Sequence, residues 1–140
     1  MNPGNSASER RQVLIVDDNL QNLELLEAYL EDVPGLQTLR ATGGHEALEI
    51  ARRARPDLML LDIMMPRMSG FEVCTVLKSD PATAHIPVIM VTALNEFADV
   101  QRGREVGADE FLSKPVNRAE LVSRVQQLLS QPRPAAARPA

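Results

Sequence analysis

The chain has no tryptophan, one tyrosine and three phenylalanines, so aromatic side chains make up 3% of its 140 residues. A flavin sandwiched between stacked rings is poorly served by that supply. The single cysteine, Cys74, rules out an internal disulfide, and no Cys/His grouping has zinc-site spacing. It is expected to be a small apolar core residue on a helix. No apolar run approaches the roughly 20 residues of a membrane span, and the opening M-N-P-G-N-S-A-S-E-R-R lacks the apolar stretch of a secretory leader. Positive charge is not in excess either: 15 Lys plus Arg against 19 Asp plus Glu leave a net charge of -4. No global basic field draws the chain to nucleic acid or to anionic lipid. The expectation is a reduced, cytoplasmic protein with neither nucleic acid nor membrane as a direct partner.

What is present is enough apolar material, 44% of residues, for one core. Residues 1–10 are polar with Pro3 and Gly4, and 131–140 read Q-P-R-P-A-A-A-R-P-A. The first is expected to be a flexible N-terminus and the second a Pro/Ala-rich linker or tail, flanking a single domain at 11–130. Inside that domain short aliphatic runs alternate with amphipathic ones, the pattern of a parallel sheet covered by helices on both faces. Strands are expected at 12–16, 37–41, 58–62, 87–92 and 110–113. Three of these runs, V-L-I-V, L-M-L-L and V-I-M-V, are apolar at consecutive positions, so both of their faces should be buried at the centre of the sheet.

Helical stripes fall between the strands. Leu23, Leu26, Leu30 and Val33 mark a first helix running to near Pro34-Gly35, and Ala47, Leu48, Ala51 and Ala54 a second. Phe71, Cys74 and Leu77 follow Ser69-Gly70 on a third, while Leu121, Val125, Leu128 and Leu129 mark the last. The fourth, at 95–106, has Phe97 and Val100 as its main apolar residues and is expected to pack marginally.

In a doubly wound sheet ligands bind outside the carboxyl ends of the strands. Here the first strand ends on Asp17-Asp18, the third on Asp62, the fourth on Thr92-Ala93 and the fifth on Ser113-Lys114-Pro115. Two unit charges about 4 Å apart repel by roughly 4 kcal/mol at an effective dielectric of about 20, so three carboxylates in one pocket need a positive counterpart. A hard, oxygen-preferring cation such as Mg²⁺, with Mn²⁺ as a substitute, fits, and Lys114 adds a fixed ammonium. A carboxylate so placed can attack phosphorus and form an aspartyl-phosphate. Asp62, alone at its strand end, is the better nucleophile, and Asp17 and Asp18 are better suited to the metal. Read singly, Asp17-Asp18 could be a turn with a helix cap, a role Asp18 is expected to fill as well. The other strand ends weigh against that reading alone.

The stretches V-L-I-V-D-D-N, L-L-D-I-M-M-P-R-M-S-G, V-I-M-V-T-A and G-A-D-E-F-L-S-K-P, in this order and spacing, resemble the receiver domain of bacterial two-component response regulators over about 11–129. The resemblance implies a flavodoxin-like (βα)5 doubly wound parallel sheet of strand order 2-1-3-4-5. It implies Asp62 as phosphoacceptor, Asp17 and Asp18 as the acidic pair, and a metal contact from the Met64 backbone carbonyl. Thr92 would be the hydroxyl that follows the phosphoryl group, Lys114 its cationic partner, and Phe111 the aromatic switch, a position where many members carry Tyr. The Lys114-Pro115 bond would be cis. A histidine kinase or histidine phosphotransfer protein would donate to Asp62, docking near Asn19, Leu20, Asn22 and Pro115-Val116. The face formed by the fourth helix, fifth strand and fifth helix would then change, recruiting an output domain, a downstream protein or a second copy of the domain. No turnover of a separate substrate is implied beyond the domain's own phosphotransfer and autodephosphorylation. D-D-N-x-x-N-x-x-L-L and H-I-P-V-I-M-V-T-A are most similar to receivers that precede cyclic-dinucleotide enzymes or belong to hybrid kinases.

Met64 and Leu94 fill variable positions beside the path of hydrolytic water, and both are apolar, so a long-lived aspartyl-phosphate is expected. An aspartate-dependent phosphatase would need a second Asp where Met64 stands, and a flavodoxin-type carrier would need a Ser/Thr-rich loop after the first strand. A degenerate receiver used only for binding or dimerisation is the remaining alternative. Met59, Met64, Met65, Met68 and Met90 are expected mostly to fill core or loop, and His45 and His85 to face solvent.

Overall fold

Aliphatic side chains at successive strand positions leave no solvent face, and the chain buries them by laying helices over both sides of one sheet. A computed structural model describes residues 10–93 and 97–131, apart from the Phe97 side chain. The expectations for 1–9, 132–140 and Leu94 fall outside these residues. The elements run β1 (Arg11–Val16), α1 (Leu20–Leu30), β2 (Leu36–Ala41), α2 (Gly44–Ala54), β3 (Leu58–Asp62), α3 (Gly70–Ser79), β4 (Val88–Thr92), α4 (Phe97–Glu105), β5 (Glu110–Ser113) and α5 (Arg118–Leu129). All pairings are parallel, in the order β2-β1-β3-β4-β5. The flavodoxin-like (βα)5 architecture expected from the sequence is the one observed.

The two-residue period of the strands divides the core into two layers. Leu14, Val16, Met59, Leu61, Val88 and Met90 point to the side covered by α2 and α3. Val13, Ile15, Leu58, Leu60, Ile89 and Leu112 point to the side of α1 and α5. Every residue of β3 and β4 is buried, as expected of the central strands.

Two boundaries shift for local reasons. β4 starts at Val88, because Pro87 has no N–H for the ladder; its carbonyl instead accepts from Met59 N–H at 2.9 Å. α1 stops at Leu30, short of Pro34-Gly35, and Val33 packs on the same apolar layer from the connecting loop. The cap of α1 is Asn19, whose side chain accepts from Asn22 N–H, so the capping role expected of Asp18 falls to its neighbour. Asp17 has the other local bond, accepting from Asn19 N–H at 2.9 Å.

The start of α3 is pinned most tightly. Ser69 and Glu72 form a reciprocal capping box, and Gly70 N–H donates to the Ile63 carbonyl at 2.9 Å. A Cβ on Gly70 would lie 2.5 Å from the Asp62 carbonyl oxygen, whereas one on Gly43 would meet nothing within 4 Å. Gly70→Ala is therefore expected to lower stability by about 1–3 kcal/mol through backbone displacement. Gly43→Ala should stay within about 0.5 kcal/mol. Urea unfolding of the two variants beside the parent checks both.

Candidate functional site

The register of the strands brings the expected residues to one place. Val16 of β1 lies opposite Leu61 of β3, so Asp17 and Asp62, the next residue on each strand, are neighbours at the carboxyl edge. Thr92 ends β4 opposite Ser113 of β5, and its carbonyl accepts from Lys114 N–H at 2.8 Å. That bond sets the root of Lys114, whose side chain reaches back across the sheet edge. Its Nζ lies 3.1 Å from Asp62 Oδ1 and 3.6 Å from Asp17 Oδ2. Asp17, Asp62 and Thr92 are buried and Asp18 is exposed.

Asp17, Asp18 and Asp62 each offer a carboxylate oxygen, and these oxygens lie within 4.8 Å of one another. It is the one such acidic grouping among the described residues. Three negative charges face one ammonium. Burial pushes the Asp62 carboxyl above its ordinary range, and the charge of Asp17 pushes it the same way. Lys114, then an N–H from Met64, pull against that shift without cancelling it. An all-oxygen donor set with unbalanced negative charge fits a hard cation that neutralises it, and the cluster could hold a metal ion.

Met64 lies two residues beyond Asp62 and is 62% exposed. The Lys114-Pro115 bond is cis, as the resemblance implied. Phe111 is partly buried against the layer that contains Met90. Cys74 is core: its thiol donates to the Val106 carbonyl at 3.3 Å, and burial pushes its pKa up to about 11. His45 is exposed as expected. His85 is not: both ring nitrogens are buried without a hydrogen-bond partner. Burial first, then the charges of Lys78 and Arg55, lower its pKa. The cause is Lys78, whose ammonium donates to the Ala84 and Ile86 carbonyls and draws that loop onto the domain.

A cleft of about 390 Å³ adjoins the site, with Asp17 and Lys114 in its wall and Leu25, Tyr29, Pro115 and Val116 as its apolar lining. Leu25 is 45% exposed. Sequence reasoning named Asn22 and Pro115-Val116 here but missed Leu25 and Tyr29. The available signal was their four-residue spacing, off the Leu23, Leu26, Leu30 stripe.

The raised pKa of Asp62 has a consequence for stability. Between the ordinary carboxylate range and its own higher value, folded protein keeps a proton on Asp62 that the unfolded chain has released, so stability falls as pH rises through that window. In EDTA, Asp62→Asn is expected to raise the urea midpoint at neutral pH, and the gain should vanish toward about pH 4.

With this geometry in view, the relatives are informative. The model of the response regulator receiver domain matches residues 13–126. The response regulator PleD of Caulobacter vibrioides is 46% identical over 117 residues, which cover 84% of this chain and 26% of that protein. The chain thus spans about a quarter of PleD's length. The polar-differentiation response regulator DivK of Brucella anthropi is 40% identical over 119 residues, 85% of this chain and 96% of DivK. Among solved structures, the receiver domain of a signal transduction histidine kinase from Syntrophus aciditrophicus superposes with a TM-score of 0.79 at 40% identity, covering 86% of this chain and 90% of that one. Chemotaxis protein CheY4 of Vibrio cholerae gives 0.79 at 31% identity, covering 84% and 98%. An acidic cluster and a lysine read from the strand ends, on the observed strand order, meet a match over most of the chain: it belongs to the family of response regulator receiver domains.

Proposed function

We propose that this receiver domain takes its phosphoryl group on Asp62, with Mg²⁺ held by Asp17, Asp18, Asp62 and the Met64 backbone carbonyl. The observation that carries the reading is a buried Asp62 carboxylate 3.1 Å from the Lys114 ammonium, inside a cluster of three carboxylates. When bound, the metal supplies positive charge to offset the carboxylates and the incoming phosphoryl oxygens; Mn²⁺ has the same oxygen preference.

The chain's own residues do the rest. A carboxylate oxygen of Asp62 attacks the phosphorus of a donor phosphohistidine, the O–P bond forms, the P–N bond breaks, and the imidazole leaves with a proton from solvent. Lys114, already within reach of both Asp17 and Asp62, stabilises charge on the phosphoryl oxygens. The Thr92 hydroxyl donates to one of those oxygens, Phe111 follows, and the face made by α4, β5 and α5 shifts population. A coupling of about 1–3 kcal/mol is typical of such a shift.

The donor is a histidine kinase or a histidine phosphotransfer protein, and its docking surface is the start of α1 with the Pro115-Val116 loop. Exposed Leu20 and the apolar cleft lined by Leu25 and Tyr29 support that placement. Residues 11–130 form the receiver unit and 131–140 a linker or tail; the readout is an output domain or downstream protein, with dimerisation through the changed face as a second one. A cytoplasmic location goes with this reading, because ATP-dependent kinases supply the phosphoryl group there. The domain promotes its own phosphorylation and dephosphorylation and turns over no separate substrate. Asp62, Thr92 and Lys114 together at the strand ends favour this over a receiver that binds partners unphosphorylated.

Incubation with a small phosphodonor and Mg²⁺ should add one phosphoryl group to the intact mass, absent in Asp62→Asn and in EDTA. Lys114→Ala should form it about a hundredfold more slowly. A polar residue at Met64, as in Met64→Gln, is expected to shorten the phosphoryl half-life by admitting water, measured by the decay of the same mass peak.

A further inference from the structure

α4 is held in an unusual way. Of its described side chains, Ala98, Gln101, Arg102, Arg104 and Glu105 are exposed, Asp99 and Val100 are half-buried, and only the side-chain-free Gly103 is buried. No apolar stripe among these residues anchors the helix. Gly103 instead sits directly on the Phe111 ring: a Cβ there would lie 2.5 Å from Phe111 Cε1 and 3.0 Å from Met90 Sδ. Arg102 and Arg104 flank that contact, and two positions apart on a helix they point about 200° from each other. Each meets an aromatic ring. The Arg104 guanidinium carbon lies 6.0 Å from the Phe111 centroid, and that of Arg102 lies 4.4 Å from the centroid of Phe71.

Phe71 leads straight back to the acceptor. It is the second residue of α3, buried, and follows Gly70, which packs on the Asp62 backbone and donates to the Ile63 carbonyl. One turn further along, Cys74 of α3 donates to the carbonyl of Val106 just after α4. α3 therefore meets α4 at Phe71 with Arg102, and the residue that follows α4 at Cys74 with Val106.

We propose that Arg102 stacked on Phe71 is a positioning contact that ties α4 to the acceptor loop, parallel to and separate from the link through Thr92 and Phe111. This rests on the reading of Asp62 as phosphoacceptor. A shift of the Asp62–Gly70 segment moves the Phe71 ring, and the guanidinium stacked on it takes α4 along. Physical intermediacy alone does not establish coupling, so the test is a double-mutant cycle with a local readout.

Hydrogen exchange of the α4 amides is measured in the full chain, first without phosphodonor, for Arg102→Ala, Arg102→Lys, Phe71→Leu and the double variant Arg102→Ala/Phe71→Leu. Arg102→Ala should speed α4 exchange about two- to fivefold, the range expected for a partly exposed cation on a ring. Phe71→Leu should do the same, the double variant no more than either, and Arg102→Lys should lie between, having the charge without the planar stack. After phosphorylation, the phosphoryl-dependent change in α4 exchange should shrink in Arg102→Ala while the phosphoryl stoichiometry stays at the parent level. Unchanged α4 exchange in Arg102→Ala, additive effects in the double variant, or a full-size phosphoryl response each overturns the proposal. Absence of any adduct on the parent protein would refute the Asp62 reading alone, and the exchange cycle would still decide the contact.

Discussion

The structure depends on holding two carboxylates, Asp17 and Asp62, out of water beside each other with a single lysine between them. Burial, and then the neighbouring charge of Asp17, disfavours the ionisation of Asp62. The fold tolerates this because the residues before each aspartate are among the most deeply buried in the chain. Val13–Val16 of β1 and all of β3 are covered on both faces, so the strand ends cannot drift apart to relieve repulsion. Lys114 is set by a backbone bond to Thr92, Asp17 by Asn19, and the segment after Asp62 by Gly70 and the capping box. A site with fixed, uncompensated negative charge is selective for what brings positive charge and can share oxygen ligands.

Much of this was legible in the sequence because strand ends can be read from where aliphatic runs stop. V-L-I-V, L-M-L-L and V-I-M-V leave little doubt about which residues are central, and the aspartates, threonine and lysine follow them immediately. Strand order was not legible from periodicity; it came with the family resemblance and is confirmed by the pairing. The departures are of a different kind. Asn19 and Asp18 are both good capping residues, and which one caps depends on the direction the chain leaves β1. His85 looked like a loop residue at the surface, but the bonds from Lys78 that fold the loop inward come from another element. The Leu25 and Tyr29 cleft exists only once α1 and the Pro115-Val116 loop lie side by side.

α4 was the least patterned segment, and the structure gives the reason. Its described residues rest on a glycine and on arginines over rings, contacts that leave no apolar period to read. The same economy sets it apart from α1, α2 and α3, which bury several side chains each. A helix attached by a few separable contacts can change position without disrupting the core. Among the described residues, α4 meets the rest of the domain at Phe111 and Phe71.

The central claim is that Asp17, Asp18 and Asp62 form one electrostatic unit completed by a divalent cation. Titration of Mg²⁺ into the isotopically labelled protein, following backbone amide shifts, tests it most directly. The account predicts one saturable site, with shifts centred on Asp17–Asn19, Asp62–Met64 and Lys114, and affinity reduced at least about tenfold by Asp17→Asn, as for loss of a group that supports a metal site. Shifts centred on the acids of α1, or binding that Asp17→Asn leaves intact, would contradict it.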